Sequence, residues 1–320
     1  MNLTEVNKLY NTQAKCLKLL TQLRWGKSVK CTFCNSTHVK AIASEQGRYS
    51  CRNCKRSFSV LAGTIFEDTR LPLPKWFQII TLMLNAKSGI AAKEIERNVG
   101  VTYKTCYYAC MRVRIGMLMP ETKLNGIIEM DESYFGGIAR ANHKIRDNDI
   151  SIAQNTAKRG RGTNKISVVG MVQRKGNVKT KVIEKLTKRN LLFMLKENAK
   201  KENSILMTDG FRSYKELETY IDRLVINHSK EYSKGIVHIN TIEGFWSYVK
   251  NGIKGSFKAI SKKYLPLYLI EFEWKFNHRN YRGNEFEKFL INALHQEKEL
   301  EHWKAKSTQE VKEIAYGVKE

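Results

Sequence analysis

Two closely spaced pairs of cysteines near the start of the chain constrain its fold more than any other feature. Their members are Cys31, Cys34, Cys51 and Cys54. Each C-x2-C pair can form a tight turn whose two thiolates face one point, and four thiolates complete a tetrahedral shell with no open position. The stretch between the pairs has a turn at Gly47 flanked by two β-prone pieces. This pattern predicts a zinc ribbon over residues 26–66, with one structural Zn²⁺ that supplies much of its folding free energy.

The compartment follows from the rest of the N-terminal region. Residues 1–15 contain no apolar core of a signal peptide, and no apolar run approaches the roughly 18 residues that span a bilayer. We therefore expect a cytoplasmic protein with reduced cysteines, which favours metal binding over disulfides. Residues 1–25 are expected to form a helical lead-in.

The charge of the chain indicates its kind of partner. Lys and Arg together number 56 against 31 for Asp and Glu, a net charge of +25 over 320 residues. Because a folded core gains nothing from such self-repulsion, the excess predicts a polyanionic partner. The hydrophobic content of 42% and the length allow two or three domains, each with its own core.

A helix-turn-helix is predicted within residues 72–120. The segment AAKEIERNV forms a short helix, Gly100 permits a tight turn, and Thr102 caps a second helix. That second helix is a candidate for the major groove of DNA, and an ordinary helical hairpin is the alternative. The expected DNA contacts on it are Tyr103, Lys104, Tyr107 and Arg112.

Carboxylates cluster on the first strand of the region that follows. In GIIEMDESYF, strand alternation places Glu129, Asp131 and Ser133 on one side, with Glu132 on the other. Glu129 and Glu132 are rivals of Asp131 for a metal site, and the position of Asp131 at the strand centre favours it.

Two further carboxylates lie where later elements end or begin. The apolar strand SILMTDG ends at Asp209, and the helix starting in HINTIEGFWSYVK carries Glu243 in its first turn, with Thr241 as its expected cap. Alone, each acid could be a simple turn or cap residue. The order of three strands, a helix, a strand and a later carboxylate-bearing helix predicts an α/β fold with an RNase H-like catalytic domain, a mixed five-stranded sheet with helices, over residues 124–283.

A basic insertion interrupts this domain. Residues 138–165 are rich in Lys and Arg and predict a loop that DNA can order. Its expected DNA contacts are Arg159, Arg161 and Lys165. Residues 284–320 are predicted to form a C-terminal helix and a polar tail.

The combined motifs resemble those of a known family. The order of zinc ribbon, helix-turn-helix, MDESYFGG, TDGFRSY and HINTIEGFWSYVKNGIKGS is similar to bacterial insertion-sequence DDE transposases related to Merlin elements. The resemblance implies that Asp131, Asp209 and Glu243 are the catalytic acids, with His238 and Asn240 in support.

The resemblance also implies the chemistry and the partners. The three acids would hold two Mg²⁺ or Mn²⁺ ions for hydrolysis at the ends of an insertion sequence and transfer of the 3′-OH to target DNA. The protein is expected to work as a dimer or higher oligomer on DNA, at the bacterial nucleoid. Further expected DNA contacts are Lys250, Lys254 and Arg279. A nuclease or resolvase without strand transfer and a zinc-ribbon DNA-binding regulator are the alternatives.

Overall fold

A computed structural model describes residues 1–120, 122–136, 165–226, 237–295, 311–312 and 315–316. Packing divides the chain into two compact units. The first comprises Met1–Thr122, Lys254–Phe257 and the described residues from Lys263 onward; the second comprises the described residues of Lys123–Ile253 with Lys258–Lys262. Among the described residues, no helix has the length and apolar character needed to cross a membrane.

The first unit begins with two helices and a small sheet. Its leading elements are α1 (Leu3–Leu9), α2 (Gln13–Trp25), β1 (Val39–Ala41), β2 (Arg48–Cys51) and β3 (Ser57–Ser59). The three strands pair in chain order and antiparallel, as a zinc ribbon requires. The ribbon is small, and its core consists of Cys31, Cys51 and Phe58 with flanking aromatic rings. Such a core buries little apolar surface, so a bound metal would have to provide much of its stability.

The remaining helices of the first unit include the predicted helix-turn-helix pair. They are α3 (Leu73–Asn85), α4 (Ala92–Val99), α5 (Tyr103–Gly116), α8 (Leu265–Asn277) and α9 (Glu285–His295). Gly100 adopts a left-handed conformation at the end of α4, and the Thr102 side chain accepts a hydrogen bond from the Thr105 backbone N–H at the start of α5. Both local predictions for this turn are confirmed.

Helix α8 packs against α5 within the first unit. Its buried Glu271 pairs with Arg114 of α5 at 2.8 Å. Residues up to 283 are predicted to belong to the catalytic domain, and that boundary stays a prediction. The apolar sequence of α8 predicts that the helix is buried, but it does not specify which neighbouring element buries it.

The second unit is built on a five-stranded sheet. Its strands are β4 (Leu124–Phe135), β5 (Ile166–Gln173), β6 (Val178–Ile183), β7 (Ala199–Asp209) and β8 (Asp222–Ile226). They lie in the order β6-β5-β4-β7-β8, with β4, β5 and β6 antiparallel in succession and β7 and β8 parallel to β4. This strand order and direction is the predicted RNase H-like topology.

The two faces of this sheet are covered by different elements. On one face, α6 (Lys188–Asn198) and the 3₁₀ helix Arg212–Thr219 pack on Ile128, Met130 and Met171. On the other face, α7 (Asn240–Gly252) packs on β4 and β5. The apolar side predicted for α7 is confirmed, because Ile242, Phe245, Trp246 and Val249 are all buried.

Gly170 of β5 sets how closely α7 approaches the sheet. It lies opposite Asp131 in the β4–β5 pairing. A Cβ atom at this position would lie 2.6 Å from Cζ2 of Trp246 and 2.9 Å from Cδ1 of Ile242. Only glycine permits this contact, since real Cβ atoms do not approach carbon atoms so closely.

We predict that Gly170→Ala destabilises the protein by about 1–3 kcal/mol, because the added methyl group forces α7 away from the sheet. Gly244→Ala in α7 is the matched control, since a Cβ there meets no atom within 4 Å. The control should gain up to about 1 kcal/mol from improved helix propensity. Denaturant unfolding of both variants measures these changes, and equal stabilities would contradict the close-packing argument.

Candidate metal and nucleic-acid sites

Asp131 lies near the middle of β4 on the face covered by α7. Its register partner is Gly170, whereas its neighbour Met130 belongs to the core on the opposite face. The predicted alternation is therefore observed. Glu132, the residue after Asp131, accepts a hydrogen bond from the Tyr214 hydroxyl at 2.6 Å.

Asp209 is the last residue of β7, the strand parallel to β4. The pairing of these strands runs to Glu129 opposite Met207, so two further residues along each strand bring Asp131 level with Asp209. The Asp209 side chain accepts the Phe211 backbone N–H at 2.9 Å, which fixes the turn after the strand. The predicted strand end at Asp209 is confirmed.

Glu243 is exposed in the first turn of α7. It shares a cleft of about 400 Å³ with Asp131. The other lining residues are Glu132, Ser133, Trp246, Ser247, Lys250 and Asn251. The cleft thus joins the acidic part of β4 to the first three turns of α7.

The electrostatics of Asp131 show that the three predicted acids share one field. Burial and the charges of Glu132, Asp209 and Glu243 together raise the pKa of Asp131 to about 7, against a backbone hydrogen bond that lowers it. A carboxylate with this environment lacks sufficient positive charge nearby. The site is therefore suited to a cation with hard oxygen-ligand preference, such as Mg²⁺ or Mn²⁺.

The three acids are less closely assembled than the cysteines of the ribbon. Within the described part of the chain, the one group of three or more possible ligands whose atoms all lie within 4.8 Å of each other is the cysteine quartet. A site for two ions needs a wider arrangement, because the ions themselves lie about 3.5–4 Å apart between the ligands.

Glu129 has an environment that the sequence did not indicate. It is fully buried and accepts hydrogen bonds at the start of α7 from the Thr241 and Ile242 backbone N–H groups, at 2.8 and 3.0 Å. Arg174, which follows β5, donates its Nε to Glu129 at 2.6 Å. Glu129 is therefore fully engaged in structural contacts.

The predicted capping role of Thr241 is wrong, because α7 begins at Asn240 and Thr241 lies inside its first turn.

His238 belongs to the same network. Arg174 Nη2 contacts His238 Nδ1 at 3.0 Å and donates to the His238 carbonyl at 2.8 Å. Asn240 is exposed at the first position of α7, and its backbone N–H lies 3.4 Å from His238 Nδ1. The sequence did not single out Arg174, because a cation at a hairpin turn has no periodic signature. The signal that could have found it is Glu129, a glutamate on the buried face of a strand, which needs a partner of opposite charge.

The predicted DNA contacts of α5 fall into two groups. Tyr103 is 48% exposed and Lys104 is exposed, while Tyr107 is half-buried. Arg112 is buried and donates Nη1 to the Glu67 carbonyl at 2.7 Å. Arg112 therefore drops out of the predicted DNA-contacting set, because a buried guanidinium that serves a neighbouring loop cannot meet a phosphate.

The other predicted contacts are on the surface where they are described. These are Lys165, Lys250, Lys254 and Arg279, all of them exposed. Arg159, Arg161 and most of the predicted basic loop lie outside the described residues.

The four ribbon cysteines fit a tetrahedral metal centre. The Sγ–Sγ distance is 3.7 Å between Cys31 and Cys54 and 3.6 Å between Cys34 and Cys51. A regular tetrahedron with Zn–S bonds of about 2.3 Å has edges of about 3.8 Å, which matches these separations. The geometry therefore fits Zn²⁺ in a closed site.

The thiols of this centre influence each other. The Cys54 backbone N–H is the main cause that lowers the pKa of Cys51 to about 6. The Arg56 backbone N–H lowers the pKa of Cys54. Burial and the other three thiols outweigh this effect and raise the pKa to about 11. Thiols this close cannot all ionise without a cation, so the lowered value marks the one that ionises first.

Two family models match the chain. Residues 123–277 match the ISXO2-like transposase domain, and residues 11–57 match the transposase zinc-ribbon domain. The first match covers the five-stranded sheet, α7 and α8, and the second covers α2 with most of the ribbon.

Two curated proteins are similar in sequence. An uncharacterised protein in the transposable element ISH50 of Halobacterium salinarum is 28% identical over 275 residues, which are 83% of this chain and 91% of that protein. An uncharacterised transposase-like protein of Haemophilus influenzae is 36% identical over 104 residues, which are 32% of this chain and 83% of that protein.

Solved structures give weaker likenesses. The match with the pre-cleavage Mos1 transpososome covers 68% of this chain and 78% of the Mos1 chain, at 13% identity and a TM-score of 0.23. The Mos1 strand transfer complex covers 69% and 79%, at 14% identity and a TM-score of 0.23. Likenesses with TM-scores this low carry no argument about the chain.

We predict that the purified protein contains one zinc ion per chain and that Cys51→Ser loses it, because three thiolates cannot close the tetrahedral shell. The ribbon should unfold while the five-stranded sheet stays folded. Elemental analysis and calorimetry measure the two effects. Cys106→Ala, which alters a buried cysteine of α5, is the control and should keep its zinc. A zinc-free native protein would contradict the assignment.

We predict that Asp131→Asn raises the stability of the protein without added divalent ions, increasingly so as the pH rises. The pKa of Asp131 is about 7 in the folded protein, against an ordinary value of 3.8 for an aspartate. The folded state therefore keeps a proton that the unfolded chain releases, and the wild type loses stability between about pH 4 and 7. Asparagine has no such titration.

Melting temperatures at pH 4, 6 and 8 measure this difference. The variant should exceed the wild type by several degrees at pH 8 and by little at pH 4. Asp222→Asn, at an exposed position of β8, is the control and should show no such trend. A pH-independent offset for Asp131→Asn would show that Asp131 is not the destabilised group.

Proposed function

This chain belongs to the ISXO2-like transposase family, and from that membership we propose that it is a DNA transposase that cuts the ends of its element by hydrolysis and joins the freed 3′-OH to target DNA. The observation that carries the proposal is the convergence of three acids on one electrostatic field, in which the charges of Asp209 and Glu243 raise the pKa of Asp131. Three acids from two parallel strands and a helix have no local structural use for such repulsion.

The three carboxylates would hold two Mg²⁺ or Mn²⁺ ions. When bound, this pair supplies activation of the attacking oxygen and stabilisation of the leaving oxygen. The residues of the chain supply the rest. Lys250 lines the cleft two turns after Glu243 and offers a positive charge to a DNA phosphate near the acids. Trp246 also lines the cleft, and its ring packs over Gly170 of the sheet.

The scheme asks for no covalent intermediate on the enzyme. Hydrolysis and strand transfer are both attacks by an oxygen on a phosphodiester, first by water and then by the DNA 3′-OH. One set of acids can therefore serve both steps in turn. His238 and Asn240 are proposed to support the site from the start of α7, beside Glu243.

DNA binding is proposed to involve the ribbon, helix α5 and several exposed cations outside them. The net charge of +25 supplies the long-range attraction to phosphates. On the ribbon, Arg56 lies over the exposed ring of Phe33 at 5.1 Å. On α5, Tyr103 and Lys104 are exposed near the beginning of the helix, where a recognition helix meets base edges. Outside these, Lys165, Lys254 and Arg279 are proposed to contact the DNA backbone.

Two further parts of the proposal concern assembly and place. Joining two element ends to one target requires two active sites, so we propose a dimer or a higher oligomer on DNA. Its place of action would be the bacterial cytoplasm, where the DNA lies.

We predict that Asp131→Asn, Asp209→Asn and Glu243→Gln each lower cleavage and strand transfer by at least about 100-fold in Mg²⁺, because the acids act as one unit. DNA binding should survive, since neutralising an acid removes repulsion of phosphate. The substrate is a plasmid that carries the gene with its own flanking DNA. Nicking and joining are scored separately on gels.

The control must be an acid outside the cleft. Glu129 and Glu132 are unsuitable, because Glu129 is fully buried in hydrogen bonds and Glu132 acts on the pKa of Asp131. Glu216→Gln, which changes an exposed partner of Lys188, should act like the wild type. Metal-dependent nicking without joining would favour a nuclease or resolvase, and DNA binding with neither reaction would favour a regulator. Wild-type rates in Glu243→Gln would defeat the third-ligand assignment.

A further inference from the structure

Glu129 joins the strand of one catalytic acid to the helix of another. Its side chain has 0% exposure, and both of its oxygens are occupied. Oε2 accepts the backbone N–H groups of Thr241 and Ile242 at 2.8 and 3.0 Å. Oε1 accepts the Thr241 hydroxyl at 2.9 Å and Arg174 Nε at 2.6 Å. The carboxylate thus receives four hydrogen bonds, three of them from the first turn of α7.

Helix α7 needs this external carboxylate. The residue before it, Ile239, has no side-chain oxygen and makes no cap hydrogen bond. The first backbone N–H groups of a helix have no partner inside the helix, and burying them unpaired costs about 1–3 kcal/mol each. A buried anion at this position also interacts favourably with the helix dipole. Glu129 therefore caps α7 from β4, a strand that is distant in sequence. A cap from the residue next to the helix would not fix the position of α7 relative to that strand.

Arg174 and His238 complete the arrangement. Arg174 Nη2 donates to the His238 carbonyl at 2.8 Å and lies 3.0 Å from His238 Nδ1. A guanidinium has donors alone, so Nδ1 must accept, and the ring proton of a neutral His238 is then on Nε2. The 3.5 Å approach of Nδ1 to Glu129 is therefore no ion pair. Arg174 compensates the charge of Glu129 and holds His238, which lies two residues before α7.

The contact between Glu129 and α7 is close in sequence to the proposed catalytic acids on both elements. Asp131 is two residues after Glu129 on the same face of β4, and Glu243 directly follows Ile242 on α7. A movement of α7 against Glu129 would thus move Glu243 against Asp131 by a similar amount. Gly170 allows the close approach, and Glu129 fixes its position along the strand.

We propose that Glu129 is a positioning residue that sets the distance between Glu243 and Asp131 and thereby the affinity of the site for divalent metal. The inference rests on the proposed metal-binding function of these acids. Glu129→Gln keeps the size of the side chain, but it removes the charge that Arg174 and the helix N-terminus require. Its amide can also turn an N–H₂ group toward N–H donors that need an acceptor.

Binding of Mn²⁺ to the full-length, zinc-loaded protein without DNA tests the proposal, with free Mn²⁺ followed by electron paramagnetic resonance. Glu129→Gln should weaken Mn²⁺ binding roughly tenfold, the lower end of the range for residues that orient metal ligands. Because the effect passes through Glu243, the double variant with Glu243→Gln should bind no more weakly than Glu243→Gln alone. Wild-type affinity in Glu129→Gln, or two losses that simply add, would overturn the proposal.

Glu271→Gln is the matched control for stability. Glu271 is also 0% exposed and paired with an arginine, Arg114, at 2.8 Å, and it lies in the first unit. The Glu271→Gln variant should have a lower melting temperature than the wild type, because a buried ion pair is lost, and its affinity for Mn²⁺ should be unchanged. An equal loss of affinity in Glu271→Gln would mean that Glu129 acts through stability, and the inference would fall.

A milder variant covers the case in which Glu129→Gln does not fold. Thr241→Val keeps the shape of the side chain and removes one donor to Glu129, so it should weaken Mn²⁺ binding about threefold; wild-type affinity would then overturn the inference. The outcomes also separate the two proposals. Unchanged affinity in Glu243→Gln would defeat the metal-ligand assignment together with the inference, whereas a loss in Glu243→Gln with none in Glu129→Gln defeats the inference alone.

Discussion

A buried carboxylate at the beginning of a helix is the contact on which the acidic site depends. Glu129 sits inside the second unit without exposure to solvent, and its charge is compensated by Arg174 and by the first turn of α7. Removing one partner of such a buried pair leaves an uncompensated charge, which is far more costly than losing a surface ion pair. The helix that carries Glu243 is therefore held at one place on the sheet, over the gap that Gly170 leaves in β5.

The distribution of charge explains how a strongly basic chain can have an acidic centre. The net charge of +25 attracts a polyanion to the molecule as a whole. Within the second unit, burial and three neighbouring acids raise the pKa of Asp131 to about 7. Surface attraction and local repulsion have different ranges, since screening limits the former to about 10 Å while the latter acts within the cleft. A divalent cation would relieve the local repulsion and allow phosphate to approach.

Much of the site could be predicted because its signals are local in sequence. The cysteine spacing, the strand that ends at Asp209 and the apolar side of α7 each depend on a few adjacent residues, and the structure contains all three. Features that depend on distant partners were missed. Glu129 had the pattern of a rival metal ligand, and only the fold shows that Arg174 and α7 surround it. Thr241 had the identity of a cap, but the true cap lies on another strand.

The same limit applies to two features of the first unit. Arg112 on α5 has a side chain that is typical of a DNA contact. However, most of the helix is buried, and the guanidinium donates a hydrogen bond to the Glu67 carbonyl. Residues Leu265–Asn277 are apolar enough to cover any core, and periodicity does not specify that α5 is their partner. Both features follow from tertiary packing that no short window of sequence contains.

The most direct test of the account is a crystal structure of the protein soaked in Mn²⁺, with anomalous scattering used to locate the ions. The account predicts two peaks about 3.5–4 Å apart. Asp131, Asp209 and Glu243 would be the residues that hold the ions, and Glu129 would remain on the N–H groups of α7. A single peak on Glu132, or a peak bound by Glu129 with α7 displaced, would contradict the assignment of the three acids and the positioning role of Glu129.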